Sequence, residues 1–305
     1  MKYDPRTLPD VPTLAAELVF PHDSILGESP LWDEREHVLY WVDIDRGEIH
    51  RFDPTTQENK TFTLGGKVTS IARRAVGGLV ATLRKNFATF DPTTGRADVL
   101  DAVEADQPEN RFNDGKCDRQ GRYWAGTMNE VRIGAPEAGL YRYEGPGRCE
   151  KMISGVTISN GTGWSPDGRT MYYTDTLRHA VFAYDFDPAT GAIANRRTFY
   201  EVEPAADGLP DGLTVDAEGH VWSALVNYGR ILRLDPDGKL ERTVTFPATR
   251  GTCCTFGGAD YRDLYITTAR ECLTPAQIAT QPVAGSLFRC TPGIAGLPET
   301  PFAGS

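Results

Sequence analysis

The sequence predicts an all-β chain folded as a six-bladed β-propeller, a single domain over residues 1–305, and two observations predict it. A unit of strand signals recurs six times at a period of roughly 41 to 51 residues; each unit holds three clear strand signals and a weaker fourth, separated by turn residues. Helical periodicity over about ten residues is absent, and only Thr274 to Thr280 allows one short turn. Four strands per unit at this spacing indicate blades around a central channel.

The units follow in order. Unit one carries Glu28 to Trp32, Val38 to Asp43 and Glu48 to Pro54, with Lys60 to Leu64 as its fourth, weaker strand. Unit two carries Val68 to Ile71, Gly78 to Thr82 and Ala88 to Pro92. Unit three begins at Asn113 and continues through Gly121 to Gly126 and Gly139 to Tyr143. Unit four begins at Asn160, with Met171 to Asp175 and Ala180 to Asp185. Unit five begins at Asp211, with Gly219 to Ala224 and Arg230 to Asp235. Unit six begins near Cys253, with Asp263 to Thr268 and Gly285 to Arg289. Asp-Pro-Thr-Thr, Ser-Pro-Asp-Gly and Asp-Ala-Glu-Gly separate strands as turns, because proline presets φ and glycine permits positive φ. Leu14 to Phe20 has no unit of its own. It is expected to close the ring as the outer strand of the last blade.

Composition narrows the function. No run approaches the ~20 apolar residues of a membrane span. The net charge of −10, with no basic cluster, speaks against a nucleic-acid partner. The first residues lack the basic-then-apolar pattern of a secretory signal. Cys117, Cys149, Cys253, Cys254, Cys272 and Cys290 form no CxxC pair, so they read as free thiols in a reducing cytoplasm. Cys253 and Cys254 read as core residues. There is no Gly-x-Ser-x-Gly elbow, phosphate-binding glycine loop or dinucleotide fingerprint.

In a propeller the first strand of each blade lies innermost, so residues at its start face the mouth of the channel. Glu28, Asn113, Asn160 and Asp211 hold that place in units one, three, four and five, each beside a glycine step. Units two and six offer Thr69 or Ser70 and Thr252 or Cys253. One Asn-Gly or Asp-Gly is an ordinary turn; four in register point to a site. Carboxylate and amide oxygens suit a hard divalent cation such as Ca²⁺, Mg²⁺ or Mn²⁺. The five histidines show no ligand-pair spacing. Only Glu28 and Asp211 are anionic, which leaves coordination positions for water or substrate.

At these residues the chain resembles the senescence marker protein/regucalcin/gluconolactonase family over nearly its whole length. The matching segments are Gly27-Glu28-Ser29-Pro30, Asn110 to Lys116, Gly121 to Met128, Ile158 to Gly161, Asn195-Arg196-Arg197, Pro210-Asp211-Gly212 and Cys253 to Gly258. The resemblance implies a six-bladed propeller that holds one divalent cation (Ca²⁺, Mg²⁺, Mn²⁺ or Zn²⁺) and hydrolyses sugar lactones. It implies Glu28, Asn160 and Asp211 as metal ligands and Arg111 and Asn113 as substrate contacts. On its own residues Arg111 reads as a solvated surface arginine. One departure stands out. After Gly-Thr-Met the family's substrate-contacting glutamate falls on Val131, so Glu130 would have to replace it through a shift of the loop.

The expected chemistry is hydrolysis of an aldono-lactone, with Asp211 as general base and then acid. Two alternatives remain: another metal-dependent hydrolase on the same scaffold, acting on phosphotriesters or aryl esters, and a calcium-binding propeller without catalysis.

Overall fold

The computed structural model describes residues 1–206 and 208–304. Six small sheets, antiparallel except for an added edge strand on two of them, are arranged in chain order. The inner strands are Gly27–Asp33, Val68–Arg73, Asn110–Cys117, Ser159–Trp164, Leu209–Val215 and Gly251–Gly257. Each packs against the inner strands of the blades before and after it, and the last packs against the first, so the ring closes. This is the six-bladed propeller with four-stranded blades that the repeats predict.

The apolar core is divided into six slabs, one between each pair of adjacent blades. Side chains alternate across a strand, so neighbouring aromatics serve different slabs. In blade one Tyr40 packs toward blade two and Trp41 toward blade six. In blade three Tyr123 faces blade two and Trp124 faces blade four. The aromatic pairs in the second strands of blades one, three and four therefore pack the slabs on both sides of those blades.

The closing segment behaves differently from the expectation. Only Glu17–Phe20 forms the outer strand of blade six, antiparallel to Leu287–Cys290. Thr13–Ala15 leaves that blade and runs parallel to Leu240–Thr245 at the edge of blade five. Lys2–Tyr3 does the same at the edge of blade four, beside Ile193–Val202. Phe20 to Leu14 is thus two strands rather than one, because the chain reaches round the outside of consecutive blades and covers each open edge in turn. The turn foreseen near Thr274 is the helix Pro275–Thr280, started by a capping box between Thr274 and Gln277.

The chain's other end crosses the far side of the ring. Ala217 N donates to Ala295 O and Gly296 N to Tyr261 O, which fixes the strap at blades five and six. Phe302 N donates to Arg73 O and Ala303 N to Gly121 O, which fixes it at blades two and three. Between these points Glu299 meets the Lys116 ammonium at 3.0 Å.

All six inner strands share one irregularity. Their register against the second strand slips at Glu28/Leu31, Val68/Ser70, Phe112/Gly115, Asn160/Thr162, Pro210/Leu213 and Gly251/Cys253. A bulge re-aims a side chain, and here it recurs at the mouth of every blade. The glycine steps lie inside these strands rather than in turns. A Cβ on Gly161 would stand 2.6 Å from Asp211 O and 2.7 Å from Leu213 N of the next blade. Gly161→Ala is therefore expected to push blades four and five apart and cost about 1–3 kcal/mol, read as a lowered thermal midpoint. An unchanged midpoint would show that the seam yields freely.

Candidate active site

The bulges bring the mouth residues to the ring axis. Glu28 is buried, and its Oε2 accepts the Ser29 amide at 2.8 Å. Ser29 sits at φ 49°, in the left-handed region that residues other than glycine rarely adopt. Its hydroxyl accepts the Ile71 amide of blade two at 3.0 Å, which ties the strained turn in place.

A hydrogen-bonded chain then runs round the mouth through three blades. Arg111 Nη1 donates to Asn113 Oδ1 at 2.7 Å. Asn113 Nδ2 donates to Asn160 Oδ1 at 3.0 Å and to Ser159 O at 2.8 Å. Asn160 Nδ2 donates to Thr176 Oγ1 at 2.8 Å, and Thr176 passes its own hydrogen to Pro210 O at 2.9 Å, next to Asp211. Because the Thr176 hydrogen is committed to Pro210, its oxygen must accept, which turns the Asn160 amide oxygen toward Asn113. The expectation that Arg111 is solvated is overturned: it is only 5 % exposed. It lies two residues before Asn113 on the same inner strand and points the same way.

Burial raises the Glu28 carboxyl well above the usual carboxylate range, and the charges of Asp211 and Asp114 add to the effect. Asp211 is raised too, by burial and Asp114, against the pull of Arg250. Neither Glu28 nor Asp211 has an ion-pair partner among the described residues. Asp114 went unassigned in the sequence. It is buried and pushed up to about 6 by desolvation. Beneath it a cavity of about 20 Å³ lies between Ser29, Lys116, Cys253 and Glu299, room for about one water. Lys116 donates to Leu213 O at 3.2 Å from below. Cys253 and Cys254 are both buried in blade six.

Glu130 and Val131 take opposite directions. Asn129 Oδ1 accepts the amides of Val131 at 3.0 Å and Arg132 at 2.6 Å, making a tight turn. Val131 points outward and is 65 % exposed, whereas Glu130 turns inward to Arg84 and Lys67, with Oε2 3.7 Å from Arg111 Nε.

A second acidic group, Asp216, Glu218 and His220, lies near the far end of blade five. Its charge is already met by Arg233, at 2.8 Å from Asp216 and 2.6 Å from Glu218, and Trp222 Nε1 donates to Asp216 at 2.9 Å. At the mouth, by contrast, Glu28 and Asp211 have no ion-pair partner among the described residues.

A family model described as the SMP-30/Gluconolactonase/LRE-like region matches residues 26–270. The chain is 41 % identical to regucalcin of Sus scrofa over 298 residues, 96 % of this chain and 99 % of that protein. Among solved structures it is similar to the crystal structure of a calcium-binding protein, regucalcin, from Agrobacterium tumefaciens, at 27 % identity and a TM-score of 0.91, covering 97 % of this chain and 99 % of that one. It shares its fold with a gluconolactonase from Xanthomonas campestris, at 24 % identity and a TM-score of 0.71 over 90 % of this chain and 89 % of that one.

Proposed function

Because this chain belongs to the SMP-30/gluconolactonase/LRE-like family, we propose that it hydrolyses a sugar lactone to the aldonic acid with the help of one divalent cation. The observation that carries this reading is the pair of carboxylates Glu28 and Asp211, raised together at one mouth with no ion-pair partner for either among the described residues. Buried charge without a partner is costly, and a cation held by Glu28, Asn160 and Asp211 would offset it. The all-oxygen donor set fits Ca²⁺, Mg²⁺ or Mn²⁺, and Zn²⁺ is tested beside them. When bound, the cation would supply a Lewis acid for the lactone carbonyl.

The chain's own residues do the rest. Asp211 takes a proton from the attacking water and returns it to the ring oxygen as the ester bond breaks. Arg111 only donates, and Asn113 both donates and accepts, so together they bind ring hydroxyls. Asn113 and Thr176 hold Asn160 in the orientation that keeps its oxygen at the mouth. The net charge of −10 fits a small-molecule substrate rather than a nucleic acid. Six free thiols suit the reducing cytoplasm.

The test is proton release from D-glucono-1,5-lactone and L-arabinono-1,4-lactone by chelator-stripped protein, with and without Ca²⁺, Mg²⁺, Mn²⁺ or Zn²⁺. Metal-restored acid production is expected. The description of the Agrobacterium relative as calcium-binding favours a second reading, a cation-binding propeller without catalysis. Tight Ca²⁺ binding with no rate above spontaneous hydrolysis, on lactones or on phosphotriesters and aryl esters, would establish it instead.

A further inference from the structure

One corner of the mouth is built more elaborately than a rim ion pair requires. Arg84 Nε and Nη2 both donate to Glu130 Oε1, at 3.0 and 2.5 Å. Lys67 Nζ stands 3.2 Å from Oε2 and 2.9 Å from Asp45. The backbone pins the same residues: Arg84 N donates to Lys67 O, Phe112 N to Arg84 O, and Glu130 N to Glu109 O. Blades two and three are thereby tied to each other at the carboxylate.

Arg111 completes the corner without closing it. Its Nη1 is spent on Asn113 Oδ1 and Phe112 O. Its Nε is buried without a hydrogen-bond partner, and 3.7 Å to Glu130 Oε2 is too long for a hydrogen bond. A carboxylate has about four acceptor positions. Arg84 uses those of Oε1, and Oε2 retains capacity on the side of Arg111. Glu130 stays ionised among three cations, its carboxyl held below the ordinary range although burial opposes this.

We propose that Arg84 and Lys67 are positioning residues that hold Glu130 beside Arg111, so that one ring hydroxyl of the lactone donates to Glu130 and accepts from the Arg111 guanidinium. A hydroxyl is both donor and acceptor, and this corner offers one partner of each kind. Selectivity for a hydroxylated lactone ring is then set by residues of blade two that never touch the substrate, while Val131 faces solvent. The proposal rests on the lactonase reading for its substrate.

The experiment compares wild type, Arg84→Ala, Arg84→Lys and Lys67→Ala on D-glucono-1,5-lactone and on δ-valerolactone, which has the same ring without hydroxyls. Losing the anchor of a charged hydrogen bond should raise KM for gluconolactone in Arg84→Ala about tenfold, with kcat changed less than about twofold. The preference for gluconolactone over δ-valerolactone should fall by the same factor. Arg84→Lys should recover part of it, because lysine keeps the charge and loses the two-pronged geometry. Unchanged cation affinity and thermal midpoint would accompany this result. An unchanged KM, or an equal loss on both lactones, overturns the proposal. Should the wild type hydrolyse neither lactone, the lactonase reading fails by itself. Calorimetry with 1,5-anhydroglucitol, which keeps the ring hydroxyls and lacks the carbonyl, then decides: weaker binding by Arg84→Ala sustains the corner, and equal or absent binding rejects it.

Discussion

Asp211→Ala is expected to lower kcat at least about 10²- to 10⁴-fold on the preferred lactone, the range that positioned acid–base groups contribute, while the ring remains folded. Asp211 sits in the bulge of the blade-five inner strand beside Gly212, and the residues on either side of it, Pro210 and Leu213, pair with Leu225 and Ser223. Removing its carboxylate relieves like charge beside Asp114 rather than breaking an ion pair. The substitution removes a proton carrier and a proposed ligand together, so Asp211→Asn separates them. Asparagine keeps an oxygen donor and cannot take a proton. A large loss in both variants at saturating cation assigns proton transfer to Asp211. Recovery of Asp211→Asn at high cation concentration would reduce its role to ligation, and near-full activity in Asp211→Ala would remove it from the site altogether.

Glu28→Gln is expected to weaken divalent-cation binding by at least about 10- to 100-fold, judged against what even outer-shell changes cost. It should also stabilise the protein stripped of metal. The sign follows from the raised carboxyl. A group whose folded pKa lies above its unfolded value of about 4.3 binds more protons when folded, so stability falls as pH rises from that value through the raised one. Chelator-treated wild type should melt lower at pH 8 than at pH 5, and Glu28→Gln should show less of that decline. Added cation should restore the wild type at pH 8 and do less for the variant. Equal cation affinity in the two proteins by calorimetric titration would exclude Glu28 as a ligand.

The ring was legible because it is repetitive. Alternating strands and proline or glycine turns repeat six times, so Glu28, Asn113, Asn160 and Asp211 could be placed at equivalent positions without seeing a contact. Arg111 was readable in principle, since two residues along a strand share a face, yet arginine's prior for the surface outweighed that spacing. Asp114 was hidden by the bulge between Phe112 and Gly115. A period-two reading sends adjacent residues to opposite faces and cannot anticipate where the register slips. The edge strands Lys2–Tyr3 and Thr13–Ala15 are too short to show any period. Glu130 was foreseen only as a replacement for the family's glutamate, whose place falls on Val131; its partners Arg84 and Lys67 come from another blade and leave no local trace.

The strap that carries Glu299 across the ring to meet Lys116 bears on how a small molecule would enter and leave. A propeller open at both ends could admit a molecule on one side and discharge it on the other. Here residues 295–303 lie across the far side, bonded to blades two, three, five and six. Under the proposed reaction, the arriving lactone and the departing aldonate must use one doorway in turn. On that proposal the ring would work as a cup that has to be emptied before it can be refilled.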